Sequence, residues 1–241
     1  MKYSDQIIQW LKCEDYTHCF FVAGGNIMHL LNSVRNEMTC LPFVNEVGAA
    51  IAVEAFNATS NSKDKKAFLL VTAGPGLTNA ITGISGAWLE SRELLVIGGQ
   101  VKSSDLKNIG MRQRGIQEID GVELVSSITK DAIRISKPIP REAFISTVKK
   151  GNSGRKGPIF IEICLDAQAN PAIEEIVMPK ATQPKVDSIP ILDSKTLNLI
   201  KQSKRPVILI GGGVEFDFAH SHTEDFNDLG IPLMTTWNGA D

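Results

Sequence analysis

Glu46 is the residue of this 241-residue chain best placed to do chemistry. It follows a short apolar run at 41–44 and precedes Val47, Gly48, Ala49 and Ala50, so it opens a helix built almost wholly from small residues. A carboxyl at that point can face a bound molecule and act as a general acid or base. Further along, Thr72-Ala73-Gly74-Pro75-Gly76-Leu77-Thr78-Asn79 repeats the design with an apolar strand, a glycine-rich turn and a helix that starts at the turn. Pro75 sets its own φ there, and the helix start presents free N–H groups. Each feature alone has an ordinary explanation. Acidic residues favour a first helical turn, a Pro-Gly turn needs no ligand, and small residues at 48–50 serve helix packing as readily as the close approach of a ring or a second subunit. Together they outline a pocket.

The elements that must hold this pocket are legible as apolar runs of strand length at 19–22, 41–44, 67–72, 94–98, 132–135 and 159–163, with helical patterns in most of the gaps. Continuous apolar strands separated by helices imply a mostly parallel sheet covered on both faces, because a strand with one wet face would alternate. The expected fold is a doubly wound α/β domain, and ligands gather at the carboxyl ends of strands in such sheets, where Glu46 and the Gly74 turn both lie. Residues 1–12 read as the first helix, with Ser4 available as its cap. Between 99 and 120 the sequence is charged and aperiodic, the mark of a functional or mobile loop; taken alone, Ile116-Gln117-Glu118 within it reads as a solvent-facing stretch with one apolar anchor. A proline-rich, charged linker is expected over 166–190. After it come a helix (194–202), a strand (207–210), Gly211-Gly212-Gly213, a helix (224–229) and a short strand (232–235), the start of a second α/β domain over 191–241.

Composition narrows the function. At 43% hydrophobic and 22% charged the chain is an ordinary globular protein, and 25 basic against 27 acidic residues leave a net charge of -2 with no field favouring nucleic acid or an anionic membrane. No apolar run approaches the roughly 18 residues that span a bilayer, and the N-terminus lacks the apolar core of a signal peptide, so a cytoplasmic location is expected. Cys13, Cys19, Cys40 and Cys164 form no C-x-x-C pair and read as reduced thiols; His220 and His222 lack a third ligand, so no metal residue is assigned. The Gly211 to Gly213 turn invites a nicotinamide- or flavin-dependent oxidoreductase, but Phe216 occupies the third position of the dinucleotide fingerprint and leaves it incomplete.

On Asn45-Glu46-Val47-Gly48-Ala49-Ala50 and the run 72–79, the chain resembles the pyrimidine-binding domain of thiamine diphosphate enzymes, most closely the acetolactate synthase-like group. The resemblance covers essentially the whole chain as a pyrimidine-binding domain (1–165), a linker (166–190) and an incomplete central domain (191–241). It implies thiamine diphosphate as cofactor, with Glu46 engaging the aminopyrimidine ring. Gly24, Gly25, Thr72, Gly74, Pro75, Gly76 and Asn79 would line the cofactor pocket, although Asn79 by itself reads first as a helix cap. Gln117 would lie near the substrate. The implied activity is that of a 2-keto acid carboligase or decarboxylase, with pyruvate as donor, in a homo-oligomer whose active site forms between subunits. Asn45 stands where acetolactate synthases carry histidine, Ala23 replaces a proline and Ile116 a phenylalanine, which leaves the substrate open. The family holds the diphosphate and Mg2+ with a Gly-Asp-Gly segment that these residues do not contain. The chain is therefore expected to be a fragment, inactive alone, or else a split or non-catalytic partner subunit.

Overall fold

The computed structural model describes residues 1–59, 65–173, 192–214 and 216–239. They form two compact units, Met1–Glu175 and Ile176–Asp241. In the first, six strands make one sheet in the order β2-β1-β3-β4-β6-β5, every pair parallel. The strands are β1 (Tyr16–Phe21), β2 (Thr39–Pro42), β3 (Lys66–Val71), β4 (Leu94–Gln100), β5 (Asp131–Ile135) and β6 (Pro158–Cys164). The central strands β4 and β6 are buried along their whole length, with Glu162 the one charged residue in either.

Both faces of the sheet are covered. On one, α1 (Tyr3–Lys12), α2 (Met28–Val34), α6 (Arg141–Lys150) and α7 (Leu165–Ala169) pack Ile7, Leu11, Leu30 and Phe144 against Phe68, Leu70, Ile97 and Ile161. On the other, α3 (Glu46–Thr59), α4 (Pro75–Leu89) and α5 (Gly121–Val125) pack Ala49, Val53, Leu77 and Ile84 against Leu69, Val71, Val96 and Phe160. Neighbouring strand residues belong to opposite faces, the period of two expected for a strand buried on both sides. This is the doubly wound α/β architecture. The chain runs from β1 outward to β2 and then returns across β1 to β3, so the strand order reverses between β1 and β3, where such sheets open a crevice at their carboxyl ends.

Several local expectations shift. The second strand ends at Pro42 rather than 44, because Phe43 to Asn45 turn the chain into α3 and leave Val44 99% exposed. Ser4 does not cap α1; it is buried inside the helix and accepts a bond from the Ser33 hydroxyl, while Asp5 accepts from the Lys2 N–H at the helix start (2.8 Å). Asp166 to Ala169 are helical, and the residues after them run along α1: Tyr3 N–H donates to the Asn170 carbonyl, and the Gln6 amide exchanges bonds with the backbone of Ile173. The stretch 166–173 of the expected linker thus lies on the first unit, and 174–190 fall outside the described residues. In the second unit α8 (Ser194–Gln202) is capped by Asp193, and β7 (Ile208–Ile210) pairs in parallel with β8 (Leu233–Thr235) beside α9 (Phe216–Ser221) and α10 (Thr223–Asp228).

The contact that sets the spacing of α3 and α4 is Ala50 on Gly83, where a Cβ on Gly83 would lie 2.3 Å from the Ala50 Cβ. Gly86, one turn on in the same helix, faces open space. Both Gly→Ala changes gain about 1 kcal/mol of helix propensity, but only the first forces the helices apart, at about 1–3 kcal/mol or more. In urea unfolding, Gly86→Ala is expected to stabilise the chain and Gly83→Ala to destabilise it; equal shifts of the same sign would show that the α3 and α4 contact is not close.

Candidate functional site

Two turns and one helix start converge at the crevice. The first turn follows β1 and carries Gly24 and Gly25; the second follows β3 and carries Thr72 to Gly76. Thr72 is the piece between them. A Cβ on Gly24 would sit 2.3 Å from the Thr72 Cβ, and one on Gly76 would sit 2.9 Å from the Thr72 methyl, so both turns need glycine to close on this side chain. The Asn26 N–H also donates to the Thr72 hydroxyl (3.3 Å). Gly74 has φ +61°, the left-handed region that favours glycine, and serves as N-cap of α4 with Pro75 at its first position.

Glu46 opens α3 and is 6% exposed. Its Oε2 accepts from the Asn79 side-chain amide (3.0 Å), and its Oε1 is the nearest non-Thr72 atom to the face of Gly76, 3.5 Å from where a Cβ would stand. Among the described residues no cation pairs with it. A buried carboxylate with one oxygen held and no counter-charge retains acceptor capacity for a ligand. Asn79 is therefore not a cap, as Gly74 takes that position; it lies inside α4 and orients the acid. The capping residue at the other helix is Asn45, whose Oδ1 accepts from the Gly48 N–H (2.8 Å). Of the residues singled out from the sequence, Glu46, Thr72, Gly24, Gly74, Gly76 and Asn79 meet here; Gly25 and Pro75 are exposed on the same turns.

Gln117 arrives from the long loop. Its backbone carbonyl lies 2.5 Å from the position of a Cβ on Gly74, and its own φ is +59°. The anchor of this loop is not apolar: Ile116 is 82% exposed, whereas Glu118 is 6% exposed. Burial alone would raise the Glu118 carboxyl, but N–H groups of Lys107, Gly115 and Arg114 donate to it and hold it below the ordinary glutamate range. At the loop's start Asp166 accepts from the Ser103 N–H (2.8 Å) and hydroxyl, which likewise outweigh burial and keep it low. At its end Glu162, buried on β6, meets Arg134 and the Gln100 amide (3.0 Å); Arg134 also reaches Asp120 (2.9 Å), the cap of α5. Burial pushes the Glu162 carboxyl up against the pull of Arg134. Sequence reasoning missed Glu118 and Asp166 as organisers, since a buried acid inside a charged stretch looks like any solvated one; it also missed Glu162, although a lone acid in the apolar strand 158–164 is a signal that could have found it.

Gln168, fully buried on α7, donates to the carbonyls of Asn26 (2.8 Å) and Ile163 (2.9 Å), and so ties the first turn to β6. In the second unit, Gly212 lies against the Asn238 carbonyl, 2.8 Å from a would-be Cβ, so the glycine run after β7 is used in packing. Among the described residues no group of three His, Cys, Asp or Glu side chains could hold a metal ion, and no helix is long and apolar enough to cross a membrane.

Two outcomes test this geometry. Asn45→Ala removes the α3 cap and is expected to cost about 1 kcal/mol in urea unfolding, with Asn45→Asp near wild type; equal losses would exclude the cap. A carboxyl held low in the folded state contributes stability that is complete above its unfolded value and is lost as pH falls through its folded value. The amide signals of Lys107, Arg114 and Gly115 should therefore titrate together with a midpoint below the ordinary glutamate range, and a midpoint above that range would contradict the arrangement around Glu118.

Comparison with known proteins agrees with the fold. Residues 1–124 match the profile of the thiamine pyrophosphate enzyme, N-terminal TPP binding domain. Relatives include a probable acetolactate synthase large subunit of Methanocaldococcus jannaschii, 31% identical over 99% of this chain and 41% of that protein. An acetolactate synthase large subunit of Lactococcus lactis is 30% identical over 98% of this chain and 41% of its own length. The chloroplastic acetolactate synthase 1 of Nicotiana tabacum is 31% identical over 99% and 36%. The chain thus spans about two fifths of the length of the curated relatives it matches. With a doubly wound parallel sheet, a buried acid at the strand-order reversal and this match over the first half of its length, the chain belongs to the thiamine pyrophosphate enzyme family, in its acetolactate synthase-like branch.

Proposed function

We propose that this chain forms the pyrimidine-binding side of a thiamine diphosphate-dependent enzyme that cleaves a 2-keto acid, with pyruvate as donor, and passes the acyl unit to a carbonyl acceptor. The observation that carries the reading is Glu46, buried at the carboxyl ends of the strands with no cation partner among the described residues and held by the Asn79 amide. When bound, thiamine diphosphate supplies the nucleophilic carbon and the electron sink for cleavage beside a keto group. Glu46 would hold and exchange a proton at the pyrimidine nitrogen N1′, the role of a general acid and base. Asn79 keeps Oε2 in place through that exchange. Thr72, held between Gly24 and Gly76, sets the depth of the pocket, and the Gly74 turn with Gln117 over it forms the wall on the substrate side.

The diphosphate and its Mg2+ are assigned to the segment that the relatives carry beyond the matched region, and the complete site to an oligomer in which that segment of one subunit meets the turns of another. On this reading the 241 residues alone are inactive. The test is made in the assembled enzyme that contains this chain. Glu46→Gln keeps the volume and removes the exchangeable proton, so kcat for thiamine diphosphate-dependent pyruvate consumption is expected to fall by about 10²–10⁴-fold with the melting temperature unchanged. Near-normal turnover in that variant would refute the assignment.

A further inference from the structure

Glu118 is an acid buried in the middle of a surface loop whose two preceding residues, Ile116 and Gln117, are exposed. Its Oε1 accepts from the Lys107 N–H (2.5 Å), and its Oε2 accepts from those of Arg114 (2.8 Å) and Gly115 (2.9 Å). Among the described residues no salt bridge reaches it; the three backbone N–H groups hold its charge, with a smaller contribution from the Lys107 cation. The chain between Lys107 and Glu118 therefore closes on itself around one carboxylate. The residue just before that carboxylate, Gln117, is in the left-handed region at φ +59°, an uncommon conformation for a residue with a side chain. It persists where the surroundings over-determine it. Opposite lies Gly74, itself at φ +61°, with the Gln117 carbonyl 2.5 Å and the Gln117 Cβ 3.0 Å from where its own Cβ would stand. Two left-handed residues from separate segments are thus in direct contact, and the turn that carries Gly74 continues to Gly76, which faces Glu46.

We propose that Glu118 is a positioning residue of this site: its carboxylate folds the loop so that the Gln117 backbone seals the Gly74 turn and fixes the substrate-side wall of the pocket. The substrate-facing half of this statement rests on the function proposed above; the folding half rests on the loop alone. The chemistry demands a carboxylate. Both oxygens act as acceptors, so the isosteric amide would set an NH2 group against at least one backbone N–H and leave it unsatisfied. Asp keeps two acceptor oxygens on a shorter arm and can restore part of the arrangement.

The test uses Glu118→Gln and Glu118→Asp. In the 241-residue protein, hydrogen exchange at the Lys107, Arg114 and Gly115 amides is expected to quicken about tenfold or more in Glu118→Gln, with the Gly74 amide signal displaced and the Glu118→Asp variant intermediate. In the assembled enzyme the KM for pyruvate is expected to rise about tenfold with kcat within about threefold, the pattern of lost uniform binding. Retained protection of the three amides in Glu118→Gln overturns the proposal, as does an opened loop that leaves both the Gly74 signal and the KM unmoved. Should the wild-type assembly consume no 2-keto acid with thiamine diphosphate and Mg2+ present, the proposed function fails, while the exchange and the Gly74 signal still decide the role of Glu118 on their own.

Discussion

Close backbone approach around Thr72 is the constraint on which the rest of the site depends. The strand order of the sheet reverses between β1 and β3, and that reversal brings the turns after these two strands side by side. They can touch only because glycine stands at 24 and at 76, where any Cβ would fall within 3 Å of the Thr72 side chain. Without that contact the start of α4 would stand off from the first turn, and Asn79 would not reach Glu46 across the crevice. The helix pair α3 and α4 obeys the same rule one layer out, where Ala50 rests on Gly83. Small residues here serve geometry first.

Charge is handled differently at Glu46 and around the long loop. Glu46 is buried with a neutral amide as its partner. The acids around the long loop are committed instead. Glu118 and Asp166 are held low by backbone and hydroxyl donors, and Glu162 is locked to Arg134 and Gln100. Such fully satisfied polar groups make a loop specific in shape without an apolar core of its own. The loop meets the Gly74 turn at Gln117, whereas Glu46 pairs with no cation among the described residues.

Much of this was legible in the chain. The apolar runs between 67 and 163 identify the strands because residues buried on both faces of a parallel sheet need not alternate, and the string 72–79 announces its turn and helix through Gly74 and Pro75. The edge strand was harder to place. β2 is mostly exposed, so its composition carries little burial signal, and its end is decided by the need to turn at Asn45. Asn79 misled for a related reason: an asparagine near a helix start suggests a cap, and only the position of α3 beside α4 shows that its amide has a better partner.

The sequence by itself determined the fold class, the succession of elements and the placement of Glu46 at a helix start, because periodicity, turn chemistry and helix-start preferences act between near neighbours along the chain. It could not determine what Glu46 faces, that Thr72 is the wedge between two glycine turns, or that Glu118 is a buried acid while Ile116 beside it is exposed. Those facts join residues far apart in the chain, and burial of a polar group is decided by whether partners arrive from elsewhere in space. Only the tertiary structure brings the Lys107, Arg114 and Gly115 N–H groups to one carboxylate and the Gln117 backbone onto Gly74.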